Sequence, residues 1–224
     1  MFNYFLIIMP ELWDGAVSVT IPSHFEDASR FRPVPDHQEV WMPGKNSPDS
    51  CEGQSVIFEI NEYQNVPGAD AVKHHLNDIA QTCDAQLVDI KSFSRPCPKL
   101  KVNGVVHGEH WIGKAVMHVG QNAAARKGDV VHVGILVLRF KNLETDVLVI
   151  VNVQEQKQNM DNQGQNLAEV ANRSCEEILE SAHASIEMRW QEFYQLFGAG
   201  FDANAIVIGA SPSSGQETSW SAPR

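Results

Sequence analysis

Several familiar signatures are missing from this chain of 224 residues. It contains no G-x-x-x-x-G-K-[ST] and no G-x-G-x-x-G, so no phosphate-cradling loop is visible. It contains no G-x-S-x-G nucleophile elbow and no H-E-x-x-H zinc helix. Cysteine is sparse. Cys51, Cys83, Cys97 and Cys175 are irregularly spaced and never paired as C-x-x-C. That pattern favours reduced thiols serving as small buried hydrophobes in an intracellular protein. Long apolar runs are also lacking. "MFNYFLIIMP" stops at Pro10, short of the about 20 apolar residues that a membrane span needs. The first Lys or Arg is Arg30, so the basic n-region of a secretory signal is missing too. Residues 1–8 read as an extension, or as a segment ahead of a start at Met9, with a loosely attached apolar segment or an extra edge strand as the alternative. Positive charge is scarce: 17 Lys and Arg stand against 28 Asp and Glu, a formal net charge of −11. This disfavours a general nucleic-acid binder, which needs Lys and Arg for phosphates. It suits a partner with a basic surface.

What is present reads as one α+β domain over residues 9–200. "GAVSVTIP" alternates, with Val17, Val19 and Ile21 on one face, and predicts a strand. "EDASRF" predicts one helical turn capped by Asp27 or Ser29 and ended by Pro33 and Pro35. "HQEVWM" and "SVIFEINEY" are strands separated by the turn-rich "PGKNSPDSCEGQ". Val72, Leu76, Ile79 and Cys83 recur at helical spacing and predict a helix over 69–82. "AQLVDIKSF" is a further strand. Three more strands follow at about 109–120, 129–140 and 145–154, joined by short connections that favour an antiparallel meander. "VVHVGILVL" and "VLVIVNV" are nearly continuous apolar runs, the mark of strands covered on both faces. A stretch free of Gly and Pro from Asn166 to Phe197 predicts a long helix laid across the sheet, continuous or with one kink or break. Together these give a mostly antiparallel sheet of about six or seven strands with helices packed on it. Residues 201–224 have a disordered composition.

Candidate chemistry is thin. His107, His110, His118 and His132 could serve a metal-dependent enzyme, but spacing alone does not assemble three or four convergent ligands. His74 and His75 read as partly exposed helix residues. Glu59 and Glu62 lie three apart on one strand and so point to opposite faces, a poor acid–base pair. "NRS" at Asn172 matches a glycosylation triplet but falls inside a helix.

"RPVPDHQEVW" places two carboxylates, Asp36 and Glu39, within four residues. Pro35 has no backbone N–H, so the ladder begins after it and Asp36 belongs to the turn. Asp36 can then share a side with Glu39, backed by Trp41. The local alternative is a turn aspartate bonded to nearby N–H groups beside a solvated strand glutamate.

The segment "LWDGAVSVTIPSHFEDASRFRPVPDHQEVW" resembles the N-terminal signature of the Mog family, the Ran guanine-nucleotide release factors. Leu12, Trp13, Gly15, Ala16, Pro22, Asp27, Ser29, Arg32, Val34, Pro35, Asp36, Gln38, Glu39 and Val40 fit its pattern. "SVIFEINE" and "TDVLVIVNV" resemble later strands of the family. The resemblance implies a PsbP-like α/β/α sandwich with a central, mostly antiparallel sheet of about six strands flanked by helices. It implies a protein that binds the GTPase Ran, promotes nucleotide release and supports nuclear import. Such a protein acts in nucleus and cytoplasm as a monomer, with no cofactor, nucleic acid or membrane insertion. Matched residue by residue, the implied Ran contacts are Asp27, Asp36 and Glu39, with Glu62 a weaker candidate. Departures are Asp14 for the first Gly of a Gly-Gly, the polar Asn61, the long loop after Pro43 and the Ser-rich tail. An adaptor of the same fold for another GTPase or a membrane protein is the second reading. The shared-patch reading requires the Asp36 and Glu39 carboxylates to be exposed on one surface.

Overall fold

The computed structural model describes residues 7–45, 47, 53–94, 101–102, 105–106, 109–120, 129–155 and 167–188. The expected tail 201–224 lies outside them, as does His107. Seven segments form one sheet: β1 (Phe25–Asp27), β2 (Gln38–Pro43), β3 (Gln54–Glu62), β4 (Ala85–Ser94), β5 (Glu109–Val119), β6 (Asp129–Phe140) and β7 (Thr145–Gln154). Their order across the sheet is β1-β2-β3-β7-β6-β5-β4. Every neighbouring pair is antiparallel. Helix α1 (Gly68–Thr82) carries the chain from β3 to the far edge, and the meander β4 to β7 returns it. Helix α2 is Leu167–Ser185.

The apolar runs on β6 and β7 are buried on both faces because each face has its own helix. Leu136, Leu138, Val147 and Val149 join a core with Ala171, Ile178, Leu179 and Ala182 of α2. The alternate residues Val133, Ile135, Leu148 and Ile150 join a second core with Val72, Leu76 and Ala80 of α1. Two glycines let the helices approach. A Cβ on Gly113 of β5 would lie 2.2 Å from Val72 Cγ1. A Cβ on Gly134 of β6 would lie 2.9 Å from Leu179 Cδ2 and 3.0 Å from Cys175 Sγ. The three-layer sandwich expected from the sequence is what the chain forms.

Three expectations need correction. First, "GAVSVTIP" is not one strand of the sheet. Val17–Ser18 pairs with Glu11–Leu12 and Glu187–Met188, while Ile21–Pro22 pairs with Ile7–Ile8. Between them, Thr20 N–H donates to Ser185 Oγ at 2.8 Å, tying the backbone to α2 instead of to a strand. Residues of both parities, Ala16, Val17, Val19 and Ile21, are fully buried over the α2-side core. The ladder at Ile7–Ile8 is the edge-strand alternative raised for the N-terminal extension. Second, the C-terminal helix is not continuous: α2 ends at Ser185 and Glu187–Met188 pairs as a strand, with residues 189–197 outside the described residues. Ser185 Oγ donates to Ser181 O at 2.8 Å, the back-bonding that competes with helix continuation. Third, the stripe on α1 omits its most buried polar residue. Cys83 is exposed beyond the helix end, whereas His75 is only 2 % exposed.

Candidate functional site

The predicted acidic residues gather where β1, β2 and β3 reach the same end of the sheet. Asp27 closes β1 and caps the 3-10 turn Ala28–Arg30: its Oδ1 accepts from Ser29 N (2.8 Å) and its Oδ2 from Ser29 Oγ (2.6 Å). Short polar side chains take this role because they satisfy otherwise orphaned N–H groups. Asp27 pairs in register with Trp41, and Glu39 pairs with Phe58. Registered partners share a face, and alternation adds Glu62 to it. Asp27, Glu39, Trp41 and Glu62 therefore all lie on the α2 side of the sheet. Glu62 ends β3 and is exposed.

Asp36 sits outside the ladder, as Pro35 requires. Gln38 N–H donates to Pro35 O at 2.9 Å and closes a turn over Asp36 and His37. Ile60 N–H donates to His37 O at 3.0 Å, fastening that turn beside the end of β3. Asp36 is exposed.

Glu39 departs from expectation: it is half-buried, not a free surface acid. Trp13 N–H donates to its Oε1 at 3.0 Å. The turn that delivers this donor has left-handed backbone at Trp13 (φ 47°), Asp14 (φ 54°) and Gly15 (φ 89°). Non-glycine residues rarely adopt that conformation. Burial raises the Glu39 carboxyl above its ordinary range; the Trp13 bond opposes this, while the charges of Asp27 and Asp14 add to it. The expected exposure thus holds for Asp36 and only in part for Glu39. Asp36 is an exposed turn acid three residues before Glu39, and Glu39 is an anchored, part-sheltered acid on the same face as Asp27 and Glu62.

A second polar cluster escaped the sequence reading. Asp146, fully buried, sits opposite Arg139 in the β6–β7 register. Its Oδ1 accepts from Arg139 Nε at 3.2 Å, and its Oδ2 lies 2.9 Å from His75 Nε2 and accepts from Gln64 N at 3.1 Å. Arg139 also donates to the carbonyls of Gln64 and Val66 and lies 4.4 Å from the Tyr63 ring centroid. These are the partners that a buried charge pair requires. The cluster pins residues 63–67, the connection from Glu62 into α1.

The described histidines of the metal hypothesis, His110, His118 and His132, are dispersed. His132 Nε2 lies 2.7 Å from Glu155 Oε1. His110 is buried edge-on to His183, with ring centroids 6.2 Å apart. Burial and the His183 charge push the His110 pKa down to about 4. His118 is exposed. Among the described residues no group of three or more His, Cys, Asp or Glu converges as a metal site. No described helix is long and apolar enough to cross a membrane.

Fold and site together define an α/β/α scaffold that presents an acidic surface at one end of its sheet. The profile of the family described as "Ran-interacting Mog1 protein" matches residues 10–154. The chain belongs to this family. It is 32% identical over 144 residues to the Ran guanine nucleotide release factor of Bos taurus, covering 63% of this chain and 73% of that one. It is 29% identical over 146 residues to the probable ran guanine nucleotide release factor of Dictyostelium discoideum, covering 63% and 71%. The crystal structure of the Saccharomyces cerevisiae Ran-binding protein Mog1p superposes with a TM-score of 0.61 at 17% identity, over 82% of this chain and 96% of that chain. At that identity the superposition speaks for the fold.

Proposed function

We propose that this protein binds the GTPase Ran, promotes release of its guanine nucleotide and supports nuclear protein import. The observation that carries this reading is the family match across residues 10–154, a span that includes Asp27, Asp36, Glu39 and Glu62. In this reading the protein is a regulator without covalent chemistry of its own. It acts as a monomer in nucleus and cytoplasm.

The four acids meet Lys or Arg side chains on a basic face of Ran. The exposed Asp36 and Glu62 steer encounter, an effect that salt screens. Glu39 is sheltered, so a cation docked on it loses water and couples more strongly, by about 1.5–7 kcal/mol for close interfacial pairs. Release follows if the protein binds nucleotide-free Ran more tightly than loaded Ran, since a ligand shifts an equilibrium only by its differential affinity. The test compares affinity for Ran carrying GTP, carrying GDP, or empty, with wild type and with Asp36→Lys/Glu39→Lys. Tightest binding to empty Ran, lost in the folded double variant, is expected. Equal affinity for all three states removes the release function, and an unaffected double variant removes the acidic contacts.

A further inference from the structure

We infer that Phe31 is the apolar anchor of the Ran-binding surface, an inference that rests on the function proposed above. Phe31 is 64% exposed, the most exposed large hydrophobic among the described residues and the one aromatic in that group. Single exposed apolar residues are common and need no purpose. Three features set this one apart.

The ring stands on a rigid platform. Phe31 N–H and Arg32 N–H both donate to Ala28 O at 3.0 Å. Ala28 is buried, and Asp27 ties the start of the same turn through two bonds to Ser29. A side chain on a pre-formed backbone loses little further freedom on binding.

Phe31 also lies between two proposed contacts, Asp27 before it and Asp36 after it, on a turn packed beside β2. Aromatic anchors ringed by polar residues are the usual energetic centres of protein interfaces.

Charge, finally, is balanced at this spot. Over residues 27–36 the acids Asp27 and Asp36 are matched by Arg30 and Arg32. The ring is thus rimmed by both signs, so the salt-sensitive attraction rests on Asp36 with Glu39 and Glu62 while Phe31 contributes by burying apolar area. The occupant is a recess on Ran with an apolar floor and a rim of both charge signs, into which the Phe31 ring inserts.

The experiment measures Ran affinity for Phe31→Ala, Phe31→Leu and Asp36→Lys/Glu39→Lys in the full-length chain at low and high salt, with a thermal melt of each. Phe31→Ala is expected to weaken binding about 10- to 100-fold, the range for losing one buried aromatic. The loss should be the same at both salts, while that of the acid variant shrinks as salt rises. Phe31→Leu should keep most of the affinity, and the melt of each Phe31 variant should match wild type. Phe31→Ala within about twofold of wild type, while Asp36→Lys/Glu39→Lys fails to bind, overturns the anchor and leaves the function standing. Loss in Phe31→Ala with an unaffected acid variant supports the anchor and removes the acids. A lowered melting temperature without loss of affinity means the ring packs on this chain's own segments, which also overturns the anchor. Wild type that does not bind Ran overturns the anchor and the function together.

Discussion

The backbone N–H of Trp13 donates to Oε1 of Glu39 at 3.0 Å, joining residues 26 positions apart. The bond orients a carboxylate that would otherwise swing freely at the sheet end. It also ties the left-handed turn at Trp13 and Asp14 to β2.

Glu39→Gln separates the stability of this contact from its use. Burial raises the Glu39 carboxyl, so the folded chain holds that proton more tightly than the unfolded chain. Its contribution to stability is then full below the unfolded glutamate range and is lost as pH rises through the raised folded value. Gln keeps the acceptor for Trp13 N–H without a charge. At pH 7 the variant should melt at the wild-type temperature or above it, and any gain should vanish below about pH 4. Its affinity for Ran should fall about tenfold or more. A lowered melting temperature at pH 7 would show that the charge stabilises the fold.

Asp27 is both a cap and a proposed contact, and two substitutions tell these roles apart. Asp27→Ala removes the acceptor for Ser29 N–H and should cost about 1 kcal/mol in urea unfolding. Asp27→Asn keeps an acceptor and should cost only a few tenths of that. If Ran reads the charge, both lose affinity. If only Asp27→Ala does, the residue serves the turn alone.

Asp146→Ala should be the most damaging of the changes considered. It leaves Arg139 buried at 2 % exposure without its carboxylate, and breaking a buried pair costs about 3–5 kcal/mol. At about 2–4 °C per kcal/mol for a domain of this size, the melting temperature should fall by roughly 6–20 °C. A shift under about 2 °C would mean that the cluster is incidental to the fold.

The two described cysteines should differ sharply towards alkylation. Cys83 is exposed, whereas Cys175 is buried against β6 and its thiol is pushed up to about 12, chiefly by burial. The thiolate is the reacting species. Mass spectrometry after iodoacetamide at neutral pH should find Cys83 modified and Cys175 intact until denaturant is added. Equal labelling of both would show that α2 opens readily.

Much of the sheet was legible because its signals are local. The apolar runs of β6 and β7 and the alternation of β3 gave strand bounds within a residue or two. The two-face burial of β6 and β7 called for a cover on each side, two helices or one helix and packed loops. Glu39 was misread because its shelter comes from a donor 26 residues away, on a turn whose φ values at Trp13 and Asp14 no propensity foretells. The buried cluster left clearer traces. Arg139 and Asp146 are lone charges in apolar runs, and the short hairpin between them sets them opposite each other. His75 follows Val72 by three and precedes Ile79 by four, which places it on the inward stripe of α1. What spacing could not supply is how far α1 sits from β7, and that decides whether the imidazole meets the carboxylate.

Residues 63–67 form a connection by position, yet their backbone is held like a core segment. Tyr63 N–H donates to Glu144 O, Gln64 N–H to Asp146, and Arg139 takes up the carbonyls of Gln64 and Val66. In hydrogen exchange, the amides of Tyr63 and Gln64 should therefore exchange with the slow amides of β7 and not with surface loops. Opening this stretch requires α1, β6 and β7 to let go together. Glu62, at its root, inherits that stiffness, so the entropy of ordering this edge is lost during folding and not during association.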